Sequence, residues 1–276
     1  MPPDHLIPQR HLLLILATLL ALFLAALDTL IMSAVMPTIV GDLGGLHLYS
    51  WVFSTYLLSR AVALPVFGKL ADIFRSRRLF IISICIFLLG SILAGLAQSM
   101  MQLILSRVLQ GIGAGGNFAL VYIVLADVSS PENRGKTLSL GSFIWGLASV
   151  LGPTFGGFVV TYFSWRWIFF VNVPLGVFSL LGIAIYLVEI RDKKKEAAID
   201  YWGALTLSTT ILGLLTVFLF AGRSYDWISP QIIGLSMITI VAGSAFYYAE
   251  KRAREPVLSL EFFGSRSFST GNGSAF

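Results

Sequence analysis

Apolar residues run along this chain in long stretches that only short polar turns interrupt. Eight of them, at 12–35, 50–70, 79–97, 102–126, 138–162, 167–188, 203–221 and 231–249, reach the length a helix needs to cross a bilayer, about 20 residues at a rise of about 1.5 Å each. No segment between them is long enough to form a soluble domain. The pattern predicts an all-α fold, a polytopic membrane helix bundle of eight spans.

Composition agrees, with 57% hydrophobic and 12% charged residues, an imbalance that belongs to the bilayer rather than to a water-soluble core. The first stretch does not read as a cleaved leader, because its apolar character resumes past Asp28 as far as Val40. Cys85 is the single cysteine, so neither a disulfide framework nor a thiolate metal site is available. His5, His11 and His47 form no metal-ligand cluster. Neither metal nor cofactor is expected.

The positive charges set an orientation. Of the 19 Lys and Arg residues, fifteen fall on one side of the membrane, Arg10, Arg75, Arg77, Arg78, Arg134 and Arg252 among them, if the N-terminus lies in the cytoplasm. Only Arg166 and Arg223 fall outside, as the positive-inside bias requires. The net charge of +5 is therefore a topology signal, and it carries no nucleic-acid footprint. Trp51, Trp165, Trp167 and Trp227 gather at the outer ends, where an interfacial aromatic belt is expected.

Three charges remain inside the spans: Asp28, Arg60 and Arg107. Counting from the outer ends at Met36, Trp51 and Met101, they lie at about 12, about 13 and about 9 Å, which suggests one stratum. A charge at the bilayer centre costs about 2.5–3.5 kcal/mol on insertion scales, so such groups pair with each other or face a cavity. A structural ion pair and a functional site both satisfy that rule. On the fourth span, Gln110, Ala114 and Asn117 fall within about 80° of Arg107, a polar stripe on one helical face. The spacing thus nominates Asp28, Arg60, Arg107, Gln110 and Asn117 as lining one polar cavity, with Asp28 the protonable group in it. An ion pair or shared cavity between Asp28 and Arg60 is expected.

Small residues supply the second pattern. The fourth span carries Gly111, Gly113, Gly115 and Gly116, and the fifth aligns Ser142, Gly146, Ser149, Pro153 and Gly157 on one face. Such stripes let membrane helices approach closely. Pro153 removes the hydrogen bond to the Ser149 carbonyl and predicts a kink.

These residues resemble a known family. Gly68-Lys-Leu-Ala-Asp72 followed by Arg75, Arg77 and Arg78 resembles the loop 2–3 signature of the major facilitator superfamily. Leu103 to Gly116 is similar to its span 4 signature, and Gly152-Pro153-Thr-Phe-Gly156-Gly157 to the span 5 antiporter signature. Leu27-Asp28-Thr29 with Pro37, and Trp165 to Gly176, resemble the fourteen-span drug:proton antiporter branch, the EmrB/QacA type. Four positions depart from the pattern. Arg75-Ser76 stands where the loop signature has Gly and a basic residue, Ala148 stands for a glycine, and Arg60 has no counterpart in the family.

What the resemblance implies is an exporter of small hydrophobic substrates in exchange for protons, seated in the cell (inner) membrane with lipid around it. A periplasmic adaptor is an optional partner. It also implies a cytoplasmic gate at Gly68, Asp72, Arg75, Arg77, Arg78 and Arg134, and an antiporter kink at Gly152, Pro153, Gly156 and Gly157. The expected organisation is a cytoplasmic N-terminus at 1–11, a six-helix half at 12–188, a loop with two linker helices at 189–249, and a segment at 250–276 leading to a missing C-terminal half. A nutrient or metabolite symporter, or a non-transporting truncated membrane protein, are the alternatives. A hydrolase is not, since neither H-E-x-x-H nor G-x-S-x-G occurs.

Overall fold

The computed structural model describes residues 6–188, 200–222 and 224–252. Arg191, Lys193, Lys194, Lys195, Arg223, Arg254, Arg266 and the stretch past Arg252 lie outside the described residues. The rest is helical, and all eight predicted spans are present as helices long and apolar enough to cross a membrane.

The chain forms two units. In the first, α1 (Leu6–Leu43), α2 (Tyr49–Ile73), α3 (Ser76–Gly95), α4 (Met100–Asp127), α5 (Arg134–Tyr162), α6 (Trp167–Phe170) and α7 (Asn172–Tyr186) make a bundle. Consecutive spans alternate in direction, so the turns at 73–76 and 127–134 share the near side with the start of α1. The turns at 43–49, 95–100 and 162–167 lie on the far side. In the second unit α8 (Tyr201–Phe220) and α9 (Pro230–Arg252) pack on each other. The Asp200 carboxylate caps α8 by accepting from the Gly203 amide at 2.8 Å.

The ends of the helices differ from the sequence reading for physical reasons. α1 runs on through Pro37 to Leu43, because a proline forfeits one hydrogen bond whereas unwinding a helix in hydrocarbon strands many. It stops where Gly44 and Gly45 turn the chain with φ of 69° and 73°. The sixth span is broken at Val171 into α6 and α7, next to Pro174, whose ring nitrogen has no proton for the Phe170 carbonyl. Trp165 is not part of an interfacial belt: it is 3% exposed, and its Nε1 donates to Asp42 at the end of α1.

α4 is the central helix, held between α2 and α3. Its glycines alternate between the two partners. A Cβ at Gly111 would lie 2.5 Å from the Tyr56 carbonyl oxygen, and one at Gly115 the same distance from that of Arg60, both on α2. Gly113 and Gly116 meet Phe87 and Ser83 of α3. The α5 stripe behaves otherwise. Gly152 and Gly156 close on Leu30, Ile31 and Val35 of α1, while Ser142, Gly146, Ser149 and Pro153 are exposed on the other side. The expectation that this stripe is a packing seam therefore fails within the described residues, because the seam runs through Gly141, Ala148, Gly152 and Gly156 instead.

Gly111→Ala and Gly115→Ala should each destabilise the bundle by about 1–3 kcal/mol, since the methyl group meets rigid backbone. Gly146→Ala meets nothing within 4 Å and should be neutral. Thermal unfolding of the three purified variants checks this, and equal melting temperatures would show that α2 yields freely.

Candidate functional site

The bundle holds two apolar clusters, and a polar layer separates them. One cluster gathers Leu14, Leu22, Phe80, Phe87, Leu120 and Ile183. The other gathers Ile31, Met36, Val52, Leu103, Ile104 and Phe169. Along α1 the boundary falls at Asp28, along α3 at Ser91, along α4 at Arg107 and Gln110, and at the α6–α7 break it falls at Asn172. Each of these side chains is buried.

They are all bonded to one another. Arg107 Nη1 donates to Asp28 Oδ2 at 2.5 Å and to Gln110 Oε1 at 2.7 Å. Gln110 Nε2 donates to Asp28 Oδ1 at 2.8 Å and to Ser91 Oγ at 3.3 Å. Asn172 Nδ2 donates to Ser91 Oγ at 3.0 Å and reaches Asp28 Oδ1 at 3.5 Å. Ser91 Oγ donates to the Phe169 carbonyl at 2.8 Å, next to the helix break. The Arg107 guanidinium lies 4.0 Å over the Tyr56 ring, whose hydroxyl donates to the Ala25 carbonyl at 3.3 Å. Asp28 and Arg107 are each 1% exposed.

Such a layer can do two things. Side chains from α1, α3, α4 and α7 join in one network around the Asp28 carboxylate, so it specifies how these four elements pack. It is also protonable, because adding a proton to Asp28 turns an acceptor oxygen into a donor and leaves Arg107 facing it without a counter-charge. One buried donor already lacks a partner, Arg107 Nε.

The other predicted residues are distributed differently. Asn117 lies ten residues further along α4, about 15 Å by helical rise. It accepts from Ser83 Oγ at 2.7 Å, leaving its Nδ2 unpartnered and apart from the Asp28 network. The stripe of Arg107, Gln110, Ala114 and Asn117 is thus closed inside the bundle rather than lining an open cavity. Arg60 does not pair with Asp28. Its carbonyl faces Gly115, eight residues along α4 from Arg107 and so about 12 Å away in level, while Tyr56, one turn earlier on α2, occupies the level of Asp28. Counting from each helix's own outer end does not register one helix against another: Arg60 is eleven residues past the start of α2 yet faces Gly115, fifteen past the start of α4. Among the described residues Arg60 makes no ion pair, and its guanidinium stands over Phe118 and Trp145.

On the near side Asp72, Arg75, Arg77, Arg78 and Arg134 are all exposed, and Asp72 makes no ion pair among the described residues. Gly68 has open space beside it. On the far side a clamp that the sequence did not single out is present: Arg166 bonds Asp42 at 3.0 Å and the Ala97 carbonyl at 3.1 Å. Tyr56, Ser91 and Asn172 were also missed as site residues. Ser91 and Asn172 are isolated polar residues in apolar spans, a signal that burial costs would have flagged.

Asp28→Asn and Arg107→Gln should each destabilise by about 3–5 kcal/mol, because either leaves one buried charge alone. The double substitution should cost clearly less than the two together. Thermal unfolding of the cycle tests this, and strict additivity would mean the two side chains do not act as a pair.

Comparison with known proteins bears on the whole arrangement. The family profile described as Major Facilitator Superfamily matches residues 18–250. The chain is 38% identical over 262 residues to "Multidrug resistance protein 3" of Bacillus subtilis (strain 168), covering 95% of this chain and 51% of that protein. It is 36% identical over 260 residues to "Multidrug transporter protein MdtP" of the same organism, covering 94% and 48%. To "Efflux pump FUS6" of Gibberella moniliformis it is 35% identical over 268 residues, covering 95% and 48%. The chain therefore spans about half the length of the curated relatives it matches. Among solved structures, the human organic anion transporter MFSD10 superposes with a TM-score of 0.57 at 19% identity, over 90% of this chain and 73% of that one. The proton:xylose symporter XylE does so with 0.56 at 13%, over 88% and 54%. These two likenesses speak to the fold alone.

Proposed function

Because the chain belongs to the major facilitator superfamily, we propose that it supplies one six-helix half and the linker helices of a proton-coupled drug antiporter of the fourteen-span branch. Hydrophobic or amphipathic small molecules leave the cell as protons enter, by alternating access. The names of the multidrug and efflux relatives support this reading. So does the location of a single protonable carboxylate at the point where four helix segments converge. The proposed orientation puts the near side in the cytoplasm of a cell membrane, with lipid around the spans and an adaptor on the far side as an optional partner.

Asp28 carries the mechanism. In the structure its oxygens accept from Arg107, Gln110 and, at longer range, Asn172. When a proton binds, Arg107 becomes a buried cation without its anion, a state that costs about 3–5 kcal/mol when a partner is simply removed. Movement of α1 relative to α4 relieves that cost by giving Arg107 water or another anion. α5 follows, since Gly152 and Gly156 seat it against Leu30 and Ile31, less than one turn beyond Asp28. Proton occupancy and helix position are thereby two readings of one equilibrium, and a substrate that favours one arrangement competes with the proton.

In a transport-competent assembly containing this chain, Asp28→Asn should abolish export driven by a pH gradient while membrane insertion is retained. Vesicle efflux assays measure it, and export at the unmodified rate would falsify the assignment of Asp28 as proton carrier. The near-side cluster is proposed as the cytoplasmic gate. Asp72→Asn should slow turnover without altering orientation, and normal turnover would reduce the loop 2–3 residues to a topology signal.

A further inference from the structure

Arg60 is the charged residue within the spans that the mechanism above leaves unused. It lies eleven residues from Tyr49 and thirteen from Ile73, about 16 and about 20 Å from the two ends of α2. Neither helix end lies within reach of its side chain. Its side chain crosses from α2 over Phe118 of α4, 4.8 Å from the ring centroid, to Trp145 of α5, at 5.1 Å. Both rings and the arginine are half-buried.

The stacking satisfies the guanidinium faces and leaves its edge unused. Rings attract a cation through their π surfaces, whereas the five N–H donors of arginine lie in the guanidinium plane. Among the described residues no carboxylate or carbonyl accepts from them. The contrast with Arg107 is direct, since that guanidinium also stacks on a ring yet holds a carboxylate in its plane. Arg60 is partly exposed, and the face of α5 around Trp145 is not covered by the bundle. Ser142 and Ser149 flank Trp145 one turn on either side and are exposed, and Gly146 has nothing within 4 Å of where a Cβ would stand.

A planar fork of donors, held rigid by two rings in an apolar setting and open at its edge, matches a carboxylate or sulfonate bidentately. We propose that Arg60, braced by Phe118 and Trp145, is the subsite that binds the anionic group of an organic anion with a hydrophobic body. This rests on the export reading and narrows it: anionic amphiphiles are held at Arg60, apart from the Asp28 site. Trp145 and Phe118 are positioning residues here, acting through the arginine.

The test is equilibrium binding to the purified chain in detergent, read by energy transfer from tryptophan to 1-pyrenebutyrate and, in parallel, to its uncharged methyl ester. Arg60→Leu should weaken 1-pyrenebutyrate about ten-fold or more, the scale of a charge-assisted hydrogen bond, while ester binding holds. Arg60→Lys, which keeps the charge and loses the fork, should fall between. Ester affinity and melting temperature report whether a variant is folded. If Arg60→Leu binds 1-pyrenebutyrate as well as the unmodified chain, or loses both probes in parallel, the subsite is overturned and the export reading stands. If the unmodified chain binds neither probe, the subsite is likewise overturned, and the export reading is judged by the vesicle efflux assay alone.

Discussion

The pairing of Asp28 with Arg107 constrains almost everything else in the bundle. A carboxylate and a guanidinium, each nearly inaccessible, are tolerable inside hydrocarbon only if every neighbour supplies a matching donor or acceptor. Gln110 and Asn172 do so from α4 and α7, and Ser91 of α3 in turn accepts from both of them. The apolar clusters on either side of this layer then exclude water from it. Hydrophobic packing alone would let α1, α3, α4 and α7 slide along one another, since lipid is as apolar as leucine. The polar layer gives them a register.

Close approach makes the layer reachable. Arg107 and Gln110 belong to the same helix as Gly111, Gly113 and Gly115, and those glycines bring the backbones of α2 and α3 against α4. Side chains as short as Ser91 can then span the gap. α5 makes the opposite choice. It commits one small-residue face to α1 and leaves another bare, with a proline in it. Two helices with similar glycine content thus play different parts, one as a fixed hub and the other as an element whose second face is available.

Arg60 shows a second way of accommodating a membrane-embedded cation. Arg107 is neutralised by a carboxylate and sits over Tyr56; Arg60 is braced by two rings and has no counter-charge among the described residues. A neutralised cation can govern packing, and an unneutralised one is available to bind.

The sequence alone determined the fold class and part of the buried polar layer. Eight spans follow from apolar length, because backbone polar groups in a bilayer must bond within a helix, and the stretches around Asp72, Arg107 and Gly152 were readable through their resemblance to the signatures of a known family. Asp28, Arg107 and Gln110 were legible because a charge in an apolar run is costly wherever it lies. Which charge meets which was decided by the tertiary structure. Depth counted from each span's own end placed Arg60 beside Asp28, whereas the axial offset of α2 against α4, with Tyr56 at Gly111 and Arg60 at Gly115, sets Arg60 deeper. The same limit put Trp165 at an interface and the Ser142–Gly157 stripe in a seam. Helical period states which residues share a face, but what that face touches depends on the axial shift and rotation of its neighbours, and these are set by long-range contacts such as Gly111 with Tyr56 and Asn172 with Ser91.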